Sequence, residues 1–162
     1  MPATTTNTTT KMLSDRSFAV TRTFRVPAAR LFAAYTDPKQ LAQWWAPWGG
    51  TFKVEAMDVR PGGKYRYVQS VPGRPTMAFV GSYLEVKPVT RLVYTFQVEG
   101  QPNVVTATVG LAEANGTTTL TLTNDYGTKE AYDAAAKYGA VNGTKAALDA
   151  LAKFLGETGQ GA

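Results

Sequence analysis

The chain has 162 residues, 44% of them hydrophobic and 18% charged, with a formal net charge of +5, which fits one globular domain long enough to bury a core and argues against a disordered polymer. It contains no cysteine and no histidine, which excludes disulfides, thiolate chemistry, Ser-His-Asp and Cys-His sites and the commonest metal ligands. The cations are scattered rather than clustered, so no nucleic-acid tract is expected, and no apolar run reaches the ~20 residues of a membrane span.

Met1 to Thr10 is mostly threonine, with no apolar stretch of the kind a secretory signal needs. It reads as a loose tail over residues 1–16, and the lack of an export signal sets the expectation of a cytoplasmic location. Ser17 to Val26 then alternates, with Phe18, Val20, Phe24 and Val26 on one face; this is a half-buried strand. Arg22 falls on the apolar face against the pattern. It is either a snorkelling cation at an open end of the sheet or a buried one aimed at a ligand or a carboxylate.

Pro27 sits where a first helical turn favours it, and Leu31, Phe32 and Tyr35 follow at helical spacing. Asp37-Pro38 caps a second short helix carrying Leu41, Trp44 and Trp45. Trp44-Trp45-Ala46-Pro47-Trp48-Gly49-Gly50 holds every tryptophan of the chain. Pro47 cannot continue a helix, so this stretch reads as the point where helices hand over to a sheet.

From Thr51 the pattern is all strand. Phe52, Val54 and Ala56 share a parity that Asp58 continues; Arg60-Pro61-Gly62-Gly63 is a turn, and Tyr65 and Tyr67 lie on one face of the next strand. Met77 to Val86 is apolar on both faces, so alternation does not set which one turns inward. Leu92, Tyr94, Phe96 and Val98 line one side of the following strand, and Val105, Ala107, Val109 and Leu111 the next. Asn115-Gly116 is a hairpin turn, followed by Leu120 and Leu122 inward and Thr117, Thr119, Thr121 and Thr123 outward. About seven strands joined by short turns predict one antiparallel meander, with one face to bury.

The cover is Lys129 to Leu155, a single long helical pattern. Leu148, Leu151 and Leu155 form a stripe that continues backward through Thr144, Val141 and Lys137, surrounded by Ala134, Ala135, Ala136, Gly139, Ala140 and Gly143. One half of the stripe is large and apolar, the other small and polar. A mid-helix glycine costs about 1 kcal/mol relative to alanine, so Gly139 and Gly143 imply close approach, a kink or unfilled space.

Gly62-Gly63-Lys64 lacks the spacing of a phosphate loop. The carboxylates Asp58, Glu85, Glu113, Asp125 and Asp133 show no metal-ligand spacing, so neither a metal nor another cofactor is expected. Arg22, Asp58, Tyr65, Tyr67, Asn124, Lys137 and Thr144 are polar groups on inward parities. Arg22 and Asp58 both break an apolar face near strand ends, which predicts a buried ion pair at the floor of a pocket.

The chain resembles the activator-of-heat-shock-protein-ATPase-homologue family of the START-like, or SRPBCC, superfamily over roughly residues 18–156. The resemblance is carried by Thr23-Phe24-Arg25-Val26-Pro27-Ala28-Ala29, Thr36-Asp37-Pro38 with Trp44-Trp45-Ala46-Pro47, and Asp58-Val59-Arg60-Pro61-Gly62-Gly63-Lys64-Tyr65. It continues through Gly81-Ser82-Tyr83-Leu84-Glu85-Val86-Lys87-Pro88, Arg91-Leu92-Val93-Tyr94-Thr95 and Gly116-Thr117-Thr118-Thr119-Leu120-Thr121-Leu122. It implies an α+β helix-grip fold over residues 17–157, with two short helices after the first strand, the sheet wrapped around the long C-terminal helix and a flexible end at residues 158–162.

The resemblance further implies a cavity between the long helix and the sheet. Relatives bind lipids, polyketides, hormones or other apolar ligands there, and a few catalyse cyclisation or hydrolysis with no shared catalytic set. Family members often have Gly-Trp before the Leu-x-x-Leu of the last helix, where this chain has Gly143-Thr144; a roomier and more polar pocket follows.

The leading expectation is thus a domain that binds a small, largely apolar molecule. Trp44, Trp45, Trp48, Phe52, Tyr65, Tyr67, Phe79, Tyr94 and Phe96 would form its walls, with Val141 from the helix, and Arg22, Asp58, Asn124 and Thr144 its polar anchors. One alternative is a metal-independent cyclase or hydrolase using Asp or Tyr acid–base chemistry, for which no catalytic residue is assigned. Another is a protein-partner module of the chaperone-ATPase-activator or regulatory kind. Neither nucleic acid nor membrane is an expected partner, and a monomer or a homodimer is expected.

Overall fold

A computed structural model describes residues 8–45, 50–137 and 139–156. Eight strands form one antiparallel sheet in the order β1-β2-β8-β7-β6-β5-β4-β3. The strands are β1 (Thr9–Ser14), β2 (Ser17–Phe24), β3 (Thr51–Met57), β4 (Lys64–Ser70), β5 (Met77–Lys87), β6 (Arg91–Val98), β7 (Val105–Ala114) and β8 (Thr117–Asp125). Helices α1 (Ala28–Thr36) and α2 (Pro38–Trp44) follow β2, and α3 (Lys129–Lys137) and α4 (Ala140–Phe154) follow β8.

β3 to β8 run as the expected meander, and β2 adds to its last strand, pairing Val20 with Leu122 and Arg22 with Leu120. The chain therefore leaves β2 at one side of the sheet and re-enters at the opposite edge in β3. The two short helices make that crossing. Asp37 caps α2 by accepting from the Lys39 N–H at 3.0 Å, with Pro38 in the first turn. Pro27 is the N-cap of α1 rather than its first residue, and it offers no side-chain cap. Glu113 of β7 supplies one instead, accepting from the Ala28 N–H at 2.8 Å, which places a carboxylate at the positive end of the helix.

The expected tail over residues 1–16 is strand from Thr9 onward. β1 pairs with β2, Thr9 opposite Thr21 and Met12 opposite Phe18. All six of its residues are exposed, so no alternation of apolar and polar residues marks it, and the strand count among the described residues rises to eight.

The expected single helix over Lys129–Leu155 is two. Gly139 adopts the left-handed conformation (φ 83°, ψ 28°), which a residue with a Cβ resists. Its N–H closes α3 on the Ala136 carbonyl at 3.0 Å, and its own carbonyl accepts from Gly143 at 2.8 Å to start α4. The kink reading of this glycine holds.

On the inner face, Phe18, Val20 and Phe24 of β2, Leu120 of β8, Val109 of β7 and Leu92 of β6 are buried with Leu31, Leu41, Leu148 and Leu151 from the helices. Burying a Leu or Phe side chain contributes about 1.5–3 kcal/mol. In β5 it is Phe79 and Tyr83 that turn inward. Gly81 lies between them, directly opposite Tyr65. A Cβ at Gly81 would stand 1.9 Å from the Thr95 carbonyl oxygen and 2.6 Å from the Tyr65 ring. The missing side chain is what lets the Tyr65 hydroxyl donate to that same carbonyl at 2.6 Å.

Candidate functional site

The apolar half of α4 seals against the sheet and the small half does not. Leu148 and Leu151 are wholly buried. Toward the N-terminus of α4 and along α3, the inward residues are Ala131, Ala134, Ala135, Ala140, Gly143, Thr144 and Ala147, and they face a cavity of about 500 Å³. A Cβ built on Gly143 meets nothing within 4 Å, so its lack of a side chain leaves space instead of admitting a neighbour. Ligand cavities typically hold ~300–1,000 Å³.

The opposite walls come from β6, β7 and β8 (Tyr94, Phe96, Ala107, Leu122, Asn124) and from α1 and α2 (Tyr35, Trp44, Trp45). Trp44 is buried, its indole N–H donating to the Ala34 carbonyl at 3.0 Å and its ring set edge-on to Tyr35 at 4.8 Å. Trp45 divides the cavity from an aromatic cluster behind it, with ring centroids 5.6 Å from Phe52, 5.3 Å from Tyr67 and 5.0 Å from Phe79. The exposed lining residues Gln101, Asn103 and Ala134 mark the mouth, between the β6–β7 loop and α3.

Of the residues singled out in the sequence, Trp44, Trp45, Tyr94, Phe96, Asn124 and Thr144 line this cavity. Phe52, Tyr67 and Phe79 back it through Trp45, and Tyr65 stacks on Tyr67 one layer further out at 4.5 Å. Val141 packs against the core beside the cavity without lining it. Lys137 is exposed. Trp48 lies outside the described residues.

The expected Arg22–Asp58 pair does not form. β8, β7, β6, β5 and β4 all lie between β2 and β3. A bulge between Val54 and Ala56 also shifts the parity of β3, so that Met57 and Val59 turn inward and Asp58 outward. Asp58 is exposed and pairs with Arg60 at 2.7 Å. Arg22 is buried and pairs with Asp149 of α4. Its guanidinium also lies 5.4 Å from the centroid of the Phe24 ring, a cation–π distance. It is a clamp on α4 and not part of the cavity wall.

Among the described lining residues no side chain carries a charge. The polar ones are Gln97, Gln101, Asn103, Asn124, Thr144 and three tyrosines. Burial, then the neighbouring Tyr94, raises the Tyr35 hydroxyl well above its ordinary range. Burial, then Tyr83, does the same for Tyr94, and burial with Tyr132 pushes Tyr126 up to about 12. In each of the three, burial favours the protonated phenol.

Tyr35, Tyr126 and the Gln97–Asn103 segment were not anticipated. Tyr35 reads as an ordinary core position of α1, and Gln101-Pro102-Asn103 reads only as a turn. The alanine and glycine run of the last segment was the legible signal.

Residues 25–156 match the model of the family described as activator of Hsp90 ATPase homolog 1-like protein. The chain belongs to that family. This SRPBCC-type family comprises ligand-binding or ATPase-activator-like modules in general, and membership assigns no particular ligand. Solved structures share the helix-grip fold. A Rhodobacter sphaeroides protein, 24% identical, superposes with a TM-score of 0.83 over 94% of this chain and 99% of its own. A Chromobacterium violaceum protein is 28% identical with a TM-score of 0.77, covering 86% of this chain and 96% of its own. An Arthrobacter aurescens protein, 23% identical, gives a TM-score of 0.84 over 93% and 91%. The comparison with curated proteins found no match. No helix among the described residues is long and apolar enough to cross a membrane.

Proposed function

We propose that this chain binds a small, largely apolar molecule in the cavity beneath α3 and the first half of α4. The observation that carries this reading is the hollow itself, about 500 Å³ in volume and walled by Trp44, Trp45, Tyr94, Phe96 and Leu122. Aromatic walls with a few fixed polar groups are what small-molecule sites use.

The acid–base alternative draws less support. Asp58, the carboxylate that reading would draw on, is exposed on the outer side of the bulge. The partner-module alternative would be favoured by a filled interior beside a continuous apolar patch. Among the described residues, the exposed large apolar ones fall on separate elements: Met12 and Leu13 in β1, Met77 and Leu84 in β5, Val89 and Val104 in loops.

The test is Nile red, an uncharged apolar dye, titrated into the wild-type protein and into Thr144→Trp. An indole at position 144 fills the cavity, so the variant should bind the dye about tenfold or more weakly while its urea midpoint moves little. Equal binding by both proteins would place the site elsewhere. Native mass spectrometry of freshly expressed protein is the companion measurement, read for a co-purified small molecule.

A further inference from the structure

We infer that the cavity selects an uncharged ligand bearing a neutral hydrogen-bonding end, such as a carboxamide or hydroxyl, and discriminates against the matching carboxylate. This rests on the cavity being the binding site. It goes further by assigning the charge and polarity of what binds.

The inference begins with one polar spot on otherwise apolar walls. Thr144 of α4 and Asn124 of β8 sit side by side in the cavity lining. The Thr144 hydroxyl has a single proton, and it is committed to the Ala140 carbonyl at 2.9 Å. Toward Asn124 the hydroxyl can therefore only accept, and the Asn124 amide N–H meets it at 3.5 Å. Because the hydroxyl accepts there, this contact favours the amide orientation with its N–H toward Thr144. One N–H of Asn124 points to Thr144, and its Oδ1 acceptor and second N–H are left for a guest. A group that both donates and accepts, as a carboxamide or hydroxyl does, is complementary to that pair. A carboxylate has no proton to give Oδ1 and would set oxygen against oxygen.

The second observation is the absence of compensating charge. No Lys or Arg occurs among the described lining residues. Arg22, the buried cation of the inner face, is already paired with Asp149 under the other half of α4. Lys137 of α3 is exposed. An anion seated against Asn124 and Thr144 would exchange part of its water for neutral donors only, which is unfavourable. The long-range field opposes this preference, because the chain carries a net charge of +5 and draws anions toward its surface. A preference for the neutral molecule must therefore come from the cavity.

The experiment competes Nile red with biphenyl-4-carboxamide and with biphenyl-4-carboxylate at pH 8, two probes of nearly equal shape that differ in charge. The carboxamide should displace the dye at a concentration at least about tenfold lower, since unpaired burial of a charge far outweighs loss of one hydrogen bond. Asn124→Ala should weaken the carboxamide several-fold more than it weakens Nile red, while Thr144→Lys should shift the preference toward the carboxylate. Should Thr144→Lys fail to fold, the Asn124→Ala comparison and the wild-type ratio still decide. Equal displacement by the two probes, or a stronger effect of the carboxylate, overturns the inference while leaving the cavity as the dye site. If Nile red itself does not bind, or binds Thr144→Trp equally, the underlying reading falls and this one with it.

Discussion

Arg22 shows how a single residue can look like a site and be a fastener. Its place on the apolar parity was legible in β2, which left snorkelling and burial both open, and its partner was not legible, because Asp149 lies 127 residues away on another element. The pair is asymmetric: Arg22 is 7% exposed in its side chain and Asp149 68%. The Nε of Arg22 is buried with no hydrogen-bond partner. Removing the carboxylate leaves a guanidinium in an apolar layer, whereas replacing the guanidinium with a thioether removes charge and cost together. Asp149→Ala should therefore lower stability by about 1–3 kcal/mol, beyond the roughly 0–1 kcal/mol of an exposed pair. Arg22→Met should come close to neutral. Urea unfolding of the two variants checks this, and a larger loss for Arg22→Met would show that the Phe24 contact matters more than the ion pair.

At the scale of elements, glycine means opposite things at two nearby positions. Gly139 turns the chain with φ 83° and joins α3 to α4. Gly143 lies within α4, and nothing stands within 4 Å of where its Cβ would be. Gly139→Ala should cost about 1–2 kcal/mol through its left-handed backbone, and Gly143→Ala should raise stability by about 0.5–1 kcal/mol through helix propensity. Thermal melts of the pair give the signs. The sequence pattern announced both glycines as anomalous without separating kink from space, since that distinction depends on what lies opposite. Most other elements were legible for local reasons: Asp37-Pro38 as a cap, Asn115-Gly116 as a hairpin, alternation in β2, β7 and β8. β1 was not, because its face meets solvent on every residue. The bulge in β3 was not either, because an extra residue leaves no mark on Phe52-Lys53-Val54-Glu55-Ala56-Met57.

For the molecule as a whole, the aromatic interior ties stability to alkaline pH. Tyr35, Tyr65, Tyr67 and Tyr94 have hydroxyls raised chiefly by burial, and Tyr126 is pushed up to about 12. The folded state thus holds these protons more tightly than the unfolded chain, whose tyrosines ionise near ~10. Their contribution is complete below about pH 10 and is lost as the pH climbs from there toward the folded values. Tyrosinate absorbance at 295 nm should therefore rise together with loss of the circular dichroism signal. A full tyrosinate signal at pH 10.5 from a still-folded protein would show that these hydroxyls are wet.

The position of β2 in the sheet bears on how the chain is made. β2 lies between β1 and β8, with Thr21 against Thr121, and the amide cap of α1 comes from Glu113. A ribosome adding ~5–20 residues per second delivers those partners on the order of 5–20 s after β2 has emerged. During that interval Phe18, Val20 and Phe24 have only the β1 hairpin and the two short helices for shelter. β8 must be synthesised before β2 can take its place in the sheet, so over that stretch of synthesis the nascent chain carries a greasy segment for chaperones to hold.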